Sequence, residues 1–175
     1  TFALLPMPDL EASIEELAYA LDVLKLDGVG LLSNYGGEYL GDSRFDRLFD
    51  ELQKRKAVVY VHPSTPPQDM PRPQFVPIDF MEEFTFNTTR AATNLIFSGT
   101  MERCPDVQLI FSHMGGTLPY LRWRIDCTFP YDERYSQSLP VTEEVREGWR
   151  SLNKRVPEYM SRMWFDTALN VDGNV

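Results

Sequence analysis

The chain reads as an α/β protein, a single domain across its 175 residues. Three observations predict this class. Leu10, Ile14, Leu17, Leu21 and Leu24 line one face of a helix, and Phe45, Leu48, Phe49 and Leu52 line another. Short apolar runs lie between such stripes, at residues 29–34, 57–61, 107–112 and 163–165. The segments joining these four runs are too long for tight turns and carry helical patterns, so the strands should be parallel, with right-handed crossovers.

Taken in order, Asp9 can cap the first helix, and Asp27-Gly28 supplies its stop, with Gly28 suited to the left-handed backbone that ends helices. The first buried strand then runs into the Tyr35-Gly36-Gly37 loop. The second helix closes on Gln53-Lys54-Arg55-Lys56, where cations complement the negative end of the helix dipole. Strand 57–61 follows. Residues 63–77 carry six prolines and cannot be regular structure; a loop this long inside a domain is usually functional, and a lid over the site is the expectation. A helix over about 79–98 ends at Gly99, and a turn through Cys104-Pro105-Asp106 leads to the third strand. Gly115-Gly116 permits a tight turn. Residues 118–125 read as helix, 126–140 as an inserted loop rich in Tyr, Ser, Pro and charge, and 141–152 as helix again. The last strand ends on Asp166.

Composition excludes several functions. The chain is 43% apolar and 13% aromatic, enough for one buried core, and no run approaches the roughly 18 apolar residues of a membrane span. A net charge of −9 with scattered Lys and Arg argues against a nucleic-acid partner. Cys104 and Cys127 lack the density of a disulfide scaffold and the spacing of a Cys-x-x-Cys site, so both are expected as reduced thiols in a cytoplasmic protein.

The site signal comes from the two histidines. Each stands where an apolar run stops: Val58-Val59-Tyr60-Val61 meets His62-Pro63, and Leu109-Ile110-Phe111-Ser112 meets His113-Met114-Gly115-Gly116. The carboxyl ends of parallel strands converge on one face of the sheet, so both imidazoles should reach a common pocket. Imidazole is the commonest metal ligand and a proton carrier near neutral pH. Asn34 and Tyr35 end the first strand on the same side and are candidates to touch substrate, although Asn-Tyr-Gly-Gly is also ordinary loop chemistry. Trp123 and Trp164 read as packing, and the Glu82-Glu83 and Glu143-Glu144 pairs as solvated faces, because adjacent helical residues diverge. Asp106, Asp126 and Asp132 have no spacing that converts into a site.

A complete eight-stranded barrel needs about 200 residues or more. Four strands therefore form either an open sheet or part of a barrel, and the start at Thr1-Phe2 favours the second.

Leu5-Pro6-Met7-Pro8-Asp9, Asp27-Gly28-Val29-Gly30-Leu31, Tyr39-Leu40-Gly41-Asp42, Val59-Tyr60-Val61-His62-Pro63, Ser98-Gly99-Thr100 and the run from Ser112-His113-Met114-Gly115-Gly116 to Tyr120 carry a family resemblance. They resemble the amidohydrolase-related decarboxylases, among them the aminocarboxymuconate semialdehyde, γ-resorcylate and 6-methylsalicylate decarboxylases. The resemblance implies a (β/α)₈ TIM barrel of which this chain supplies strands four to seven. It also implies decarboxylation of a small aromatic or unsaturated carboxylic acid with a divalent metal, zinc first and manganese as the alternative. His62 then matches the metal ligand at the end of strand five, and His113 the catalytic histidine at the end of strand six. Arg124 matches an arginine that holds a substrate carboxylate in the neighbouring subunit, which implies a homodimer. Asp166, in its strand-seven context, is assigned to orienting other groups of the site.

Two departures accompany these matches. The strand-one His-x-His or Glu-x-His pair of the family has no counterpart here, nor has its strand-eight aspartate, which protonates the ring carbon. One histidine cannot hold zinc, which takes about four ligands. A metal-dependent hydrolase acting on a lactone or amide is the second reading. A degenerate, non-catalytic barrel fragment is the third, if the chain is complete as it stands.

Overall fold

In the computed structural model, which describes residues 1–67 and 69–168, five parallel strands form one sheet backed by helices. The chain opens with β1 (Phe2–Leu4) and α1 (Leu10–Ala18). Asp9 caps α1 as expected, its Oδ1 accepting the Ala12 N–H at 3.1 Å. The helix widens into a π turn at Tyr19–Val23, and β2 (Gly28–Leu32) follows. A small antiparallel hairpin, β3 (Asn34–Tyr35) and β4 (Glu38–Tyr39), precedes α2 (Asp46–Lys54) and β5 (Val58–His62). After the proline-rich stretch come a 3₁₀ turn at Asp79–Met81, α3 (Glu83–Phe97), α4 (Thr100–Arg103) and β6 (Gln108–Phe111). The chain then runs through α5 (Leu118–Thr128), α6 (Glu133–Ser138), α7 (Glu143–Ser151) and α8 (Val156–Met160) to β7 (Met163–Phe165).

The sheet order is β1-β2-β5-β6-β7, every pair parallel. Alternation along the strands sends one set of side chains into the helical layer: Val29, Leu31, Val59, Val61, Leu109 and Phe111 are buried against Leu17, Leu48, Phe49, Leu95 and Ile96. Each such side chain contributes about 1.5–3 kcal/mol of burial. The opposite face is more open, with Phe2, Leu4, Leu32 and Trp164 exposed. His62 and Tyr60 stand in register on that second face.

Three differences from expectation have local causes. A fifth strand, β1, joins the expected four ahead of them in sequence and pairs in parallel with β2. Gly28 does not end the first helix: Lys25 takes the left-handed position (φ 56°), and Gly28 opens β2, where a Cβ would lie 2.4 Å from the Val58 carbonyl oxygen. Within residues 126–140, read as an inserted loop, α5 continues to Thr128 and α6 forms; Asp132 caps α6 by accepting the Arg134 and Tyr135 N–H groups. The helix expected over 141–152 is present as α7, and the short α8 then brings the chain back to β7.

The candidate active site

His62 is the last residue of β5, paired with Leu32 of β2, and its carbonyl accepts the Ser33 N–H at 2.8 Å. Its Nδ1 lies 2.8 Å from the Pro63 carbonyl oxygen. A carbonyl only accepts, so Nδ1 carries a proton, and the tautomer this selects presents its lone pair at Nε2. This is how second contacts prepare a metal-binding imidazole.

His113 follows β6, one strand over. Its ring centroid is 5.2 Å from that of His62, with the planes inclined at 71°. The expected juxtaposition of two histidines at the carboxyl ends of adjacent parallel strands is therefore present. Phe84, at the start of α3, completes an aromatic corner: it lies 6.0 Å edge-on to His62 and 6.5 Å from His113, nearly parallel to it. His113 Nδ1 is buried without a hydrogen-bond partner among the described residues. Burial, reinforced by the neighbouring His62, lowers the proton affinity of His113 below the ordinary histidine value, against a smaller opposing pull from Asp166. The ring is thus held neutral, able to give or take one hydrogen bond.

The backbone that carries His113 is unusual. His113 (φ 54°) and Met114 (φ 57°) are both left-handed, a conformation that costs about 1–3 kcal/mol for a residue with a side chain. The turn is held from several sides. Gly115 and Gly116 N–H groups bond back to Ser112 and His113 carbonyls at 3.1 and 2.9 Å. The Thr117 N–H donates to Thr89 Oγ1 at 2.9 Å, tying the turn to α3. Gly116 itself is required by packing, since a Cβ there would meet the Thr85 carbonyl oxygen at 2.2 Å.

Asp166 sits at the end of β7, its N–H bonded to the Phe111 carbonyl at 3.1 Å. Its Oδ2 accepts the Tyr60 hydroxyl at 2.6 Å, and its Oδ1 accepts the Ala168 and Met114 N–H groups at 3.1 and 3.4 Å. Burial alone would raise its pKa, but these hydrogen bonds outweigh it and hold the carboxyl below the ordinary range. Burial and then the bond to Asp166 push the Tyr60 hydroxyl up to about 12. Tyr60 was not singled out from sequence, yet the signal exists: two residues before His62, it shares that residue's side of the sheet. Phe84 carries no comparable signal, because only the docking of α3 brings it there.

The remaining candidates fall elsewhere. Asn34 is buried and committed internally: its Nδ2 donates to Asn87 Oδ1 at 3.3 Å and its Oδ1 accepts the Gly37 N–H at 3.3 Å. The Tyr35 hydroxyl turns back to accept the Leu32 N–H at 2.9 Å, with its ring edge-on to Phe45. Both contacts describe loop construction, the plain alternative for this pair. Arg124 lies on the exposed side of α5 and makes no ion pair or side-chain hydrogen bond among the described residues. The proline-rich stretch is irregular as expected and is gathered around Arg72. That guanidinium donates to Asp79 Oδ1 at 2.7 Å and to the carbonyls of Pro66, Pro67 and Met70.

The donor set tests the implied metal. Among the described residues no group of three or more His, Cys, Asp or Glu side chains is placed to hold an ion. His62 offers one prepared ligand and no more, so the fit is to part of a metal site.

The sequence model of the family described as amidohydrolase matches residues 1–147. The chain belongs to the amidohydrolase family. A decarboxylase of Aspergillus niger is 44% identical over 97% of this chain and 44% of its own length. The 6-methylsalicylic acid decarboxylase of Aspergillus aculeatus is 39% identical over 94% of this chain and 47% of its own length. Among solved structures, a 5-carboxyvanillate decarboxylase of Novosphingobium aromaticivorans, with bound manganese and 3-methoxy-4-hydroxy-5-nitrobenzoic acid, aligns with a TM-score of 0.80 at 26% identity. The alignment covers 94% of this chain and 46% of that one. This amidohydrolase chain thus spans about half the length of the relatives it matches. Its five-stranded parallel sheet is the corresponding part of a TIM barrel.

Proposed function

We propose that this chain carries part of the active site of a metal-dependent decarboxylase acting on a small aromatic carboxylic acid. The observation that carries the reading is the pair of imidazoles 5.2 Å apart, one prepared to ligate and one held neutral. The decarboxylase names of relatives 39–44% identical support carboxylate cleavage over lactone or amide hydrolysis.

His62 would hold a divalent cation through Nε2. A cation held there would supply positive charge to polarise a substrate carboxylate. Zinc suits imidazole ligation; manganese, present in the 5-carboxyvanillate decarboxylase, is the other candidate. His113, neutral and beside the cation site, hydrogen-bonds the substrate and stabilises charge as the carboxylate departs. Phe84 closes one side of the aromatic corner and excludes water. Residues 63–77 act as the lid. Arg124, without an ion pair among the described residues and beside the exposed Tyr120 and Trp123, clamps a substrate carboxylate across a homodimer interface. The unpaired thiols Cys104 and Cys127 fit a cytoplasmic address.

In the full-length protein, His62→Ala should lower both metal content and CO₂ release. His113→Ala should keep the metal and lose turnover by a factor on the order of 100 or more. Elemental analysis beside a CO₂-release assay decides it, and equal metal loss in both variants would overturn the assignment.

A further inference from the structure

We propose that Tyr60 is a positioning residue, acting through Asp166 to hold the His113-Met114 turn in its left-handed conformation. The inference rests on the decarboxylase reading for its effect on turnover, but its structural part stands apart from that reading.

Tyr60 and Asp166 belong to β5 and β7, which are not neighbours; β6 lies between them. Their 2.6 Å bond therefore adds nothing to strand pairing. What it does is orient a carboxylate. With Oδ2 fixed by the phenol, Oδ1 is aimed at the Met114 N–H, the second of the two left-handed residues. That bond is long, at 3.4 Å, so its direction matters more than its strength. A carboxylate without the phenol could rotate away, since the Ala168 N–H at 3.1 Å would still satisfy one oxygen. The opposite side of the turn is held separately, by Thr89 on Thr117. Release of Met114 alone would let His113 relax to an ordinary backbone and swing its ring away from His62.

Tyr60 thus has two neighbours of consequence, one at the end of β7 and one on its own strand. Its side chain reaches sideways to Asp166, and His62 stands two residues on at the strand end. Both histidines of the site are consequently tied to one strand, His62 directly and His113 through the phenol and the carboxylate.

The test uses full-length Tyr60→Phe, Asp166→Asn and the double variant, each with its metal content measured. Tyr60→Phe keeps the ring and its packing, so only the hydroxyl is lost. With 6-methylsalicylate as the probe, Tyr60→Phe should lower kcat about 10-fold or more, with KM and metal content nearly unchanged. Asp166→Asn should do the same, and the double variant should be no slower than Asp166→Asn alone, because both act on one link. Amide hydrogen exchange at Met114 should accelerate in both single variants while Val59 and Leu109 stay protected. Unchanged Met114 exchange overturns the proposal, as does exchange that rises equally at all three amides or two losses that multiply in the double variant. If the wild-type protein decarboxylates no aromatic acid, the function reading fails, and selective Met114 exchange still upholds the link.

Discussion

Asp126 offers a prediction whose size follows from its surroundings. It is 3% exposed on α5 and accepts four hydrogen bonds: Arg155 Nε at 3.1 Å, Arg155 Nη2 at 2.6 Å, the Tyr131 hydroxyl at 2.6 Å and the Val156 N–H at 3.1 Å. Arg155 also stacks over the Tyr131 ring at 4.1 Å. The guanidinium, opposed by burial and helped by the phenol and the N–H, holds the carboxyl down at about 2 against an ordinary 3.8. At about 1.36 kcal/mol per pKa unit, the difference corresponds to roughly 2 kcal/mol. Asp126→Asn keeps the shape, removes the charge and aims an NH₂ at donors, so it should destabilise the full-length protein by about that amount. The pH dependence has a definite sign. The folded pKa lies below the unfolded one, so the contribution is complete above about pH 5 and is lost as pH falls toward 2. About 1 kcal/mol of it should be gone by roughly pH 3. Urea titrations of wild type and variant at pH 6 and pH 3 measure the gap directly. A gap below about 0.5 kcal/mol at pH 6, or one that does not narrow at pH 3, refutes the reasoning. The functional interest is that Asp126 anchors the helix that presents Arg124.

Two further outcomes test the site. Inactive Arg124→Ala mixed with inactive His113→Ala should regain part of the activity, because a mixed dimer contains one site with both groups intact; demonstrated subunit exchange without recovery excludes a role across the interface. Gly116→Ala should destabilise the protein by about 2–4 kcal/mol and abolish turnover, since its Cβ would clash with the Thr85 carbonyl at φ 66°. A melting temperature within a degree of wild type would show that the turn adapts.

The strands that bear the site were legible because their apolar runs stop abruptly at His62, His113 and Asp166. β1 was not: three residues, two of them with exposed side chains, carry neither length nor alternation. α6 was hidden for a different reason. Its composition, Glu-Arg-Tyr-Ser-Gln-Ser, has no apolar face, and it is held from outside by Arg146, which donates to the Ser136, Leu139 and Val141 carbonyls at 2.7, 3.0 and 3.2 Å. Asp126 had no readable spacing because its partners, Arg155 and Val156, come from α8 and the residue before it. Burial of a polar group is a property of packing, and single-sequence patterns do not contain it. Asn34 and Tyr35 show the converse, where residue types suited to a substrate are equally suited to building a turn, and only the identity of their partners separates the two.

The two histidines differ in how locally their roles are set. For His62 the decisive contact is with the very next residue, since the Pro63 carbonyl fixes the tautomer and leaves Nε2 free. That preparation travels with the His-Pro dipeptide wherever the strand end goes. His113 has no such neighbour: its ring nitrogen Nδ1 is buried without a partner among the described residues, and its position depends on Thr89 from α3, Asp166 from β7 and, through it, Tyr60 from β5. A ligand prepared locally tolerates small shifts in the fold, because a bound cation can follow it. In the role proposed for His113, an imidazole meeting a substrate at hydrogen-bond distance cannot, as displacements of about 1 Å cost orders of magnitude in rate. On the proposed roles, substitutions in the heavier scaffolding around His113 should cost turnover before they cost metal.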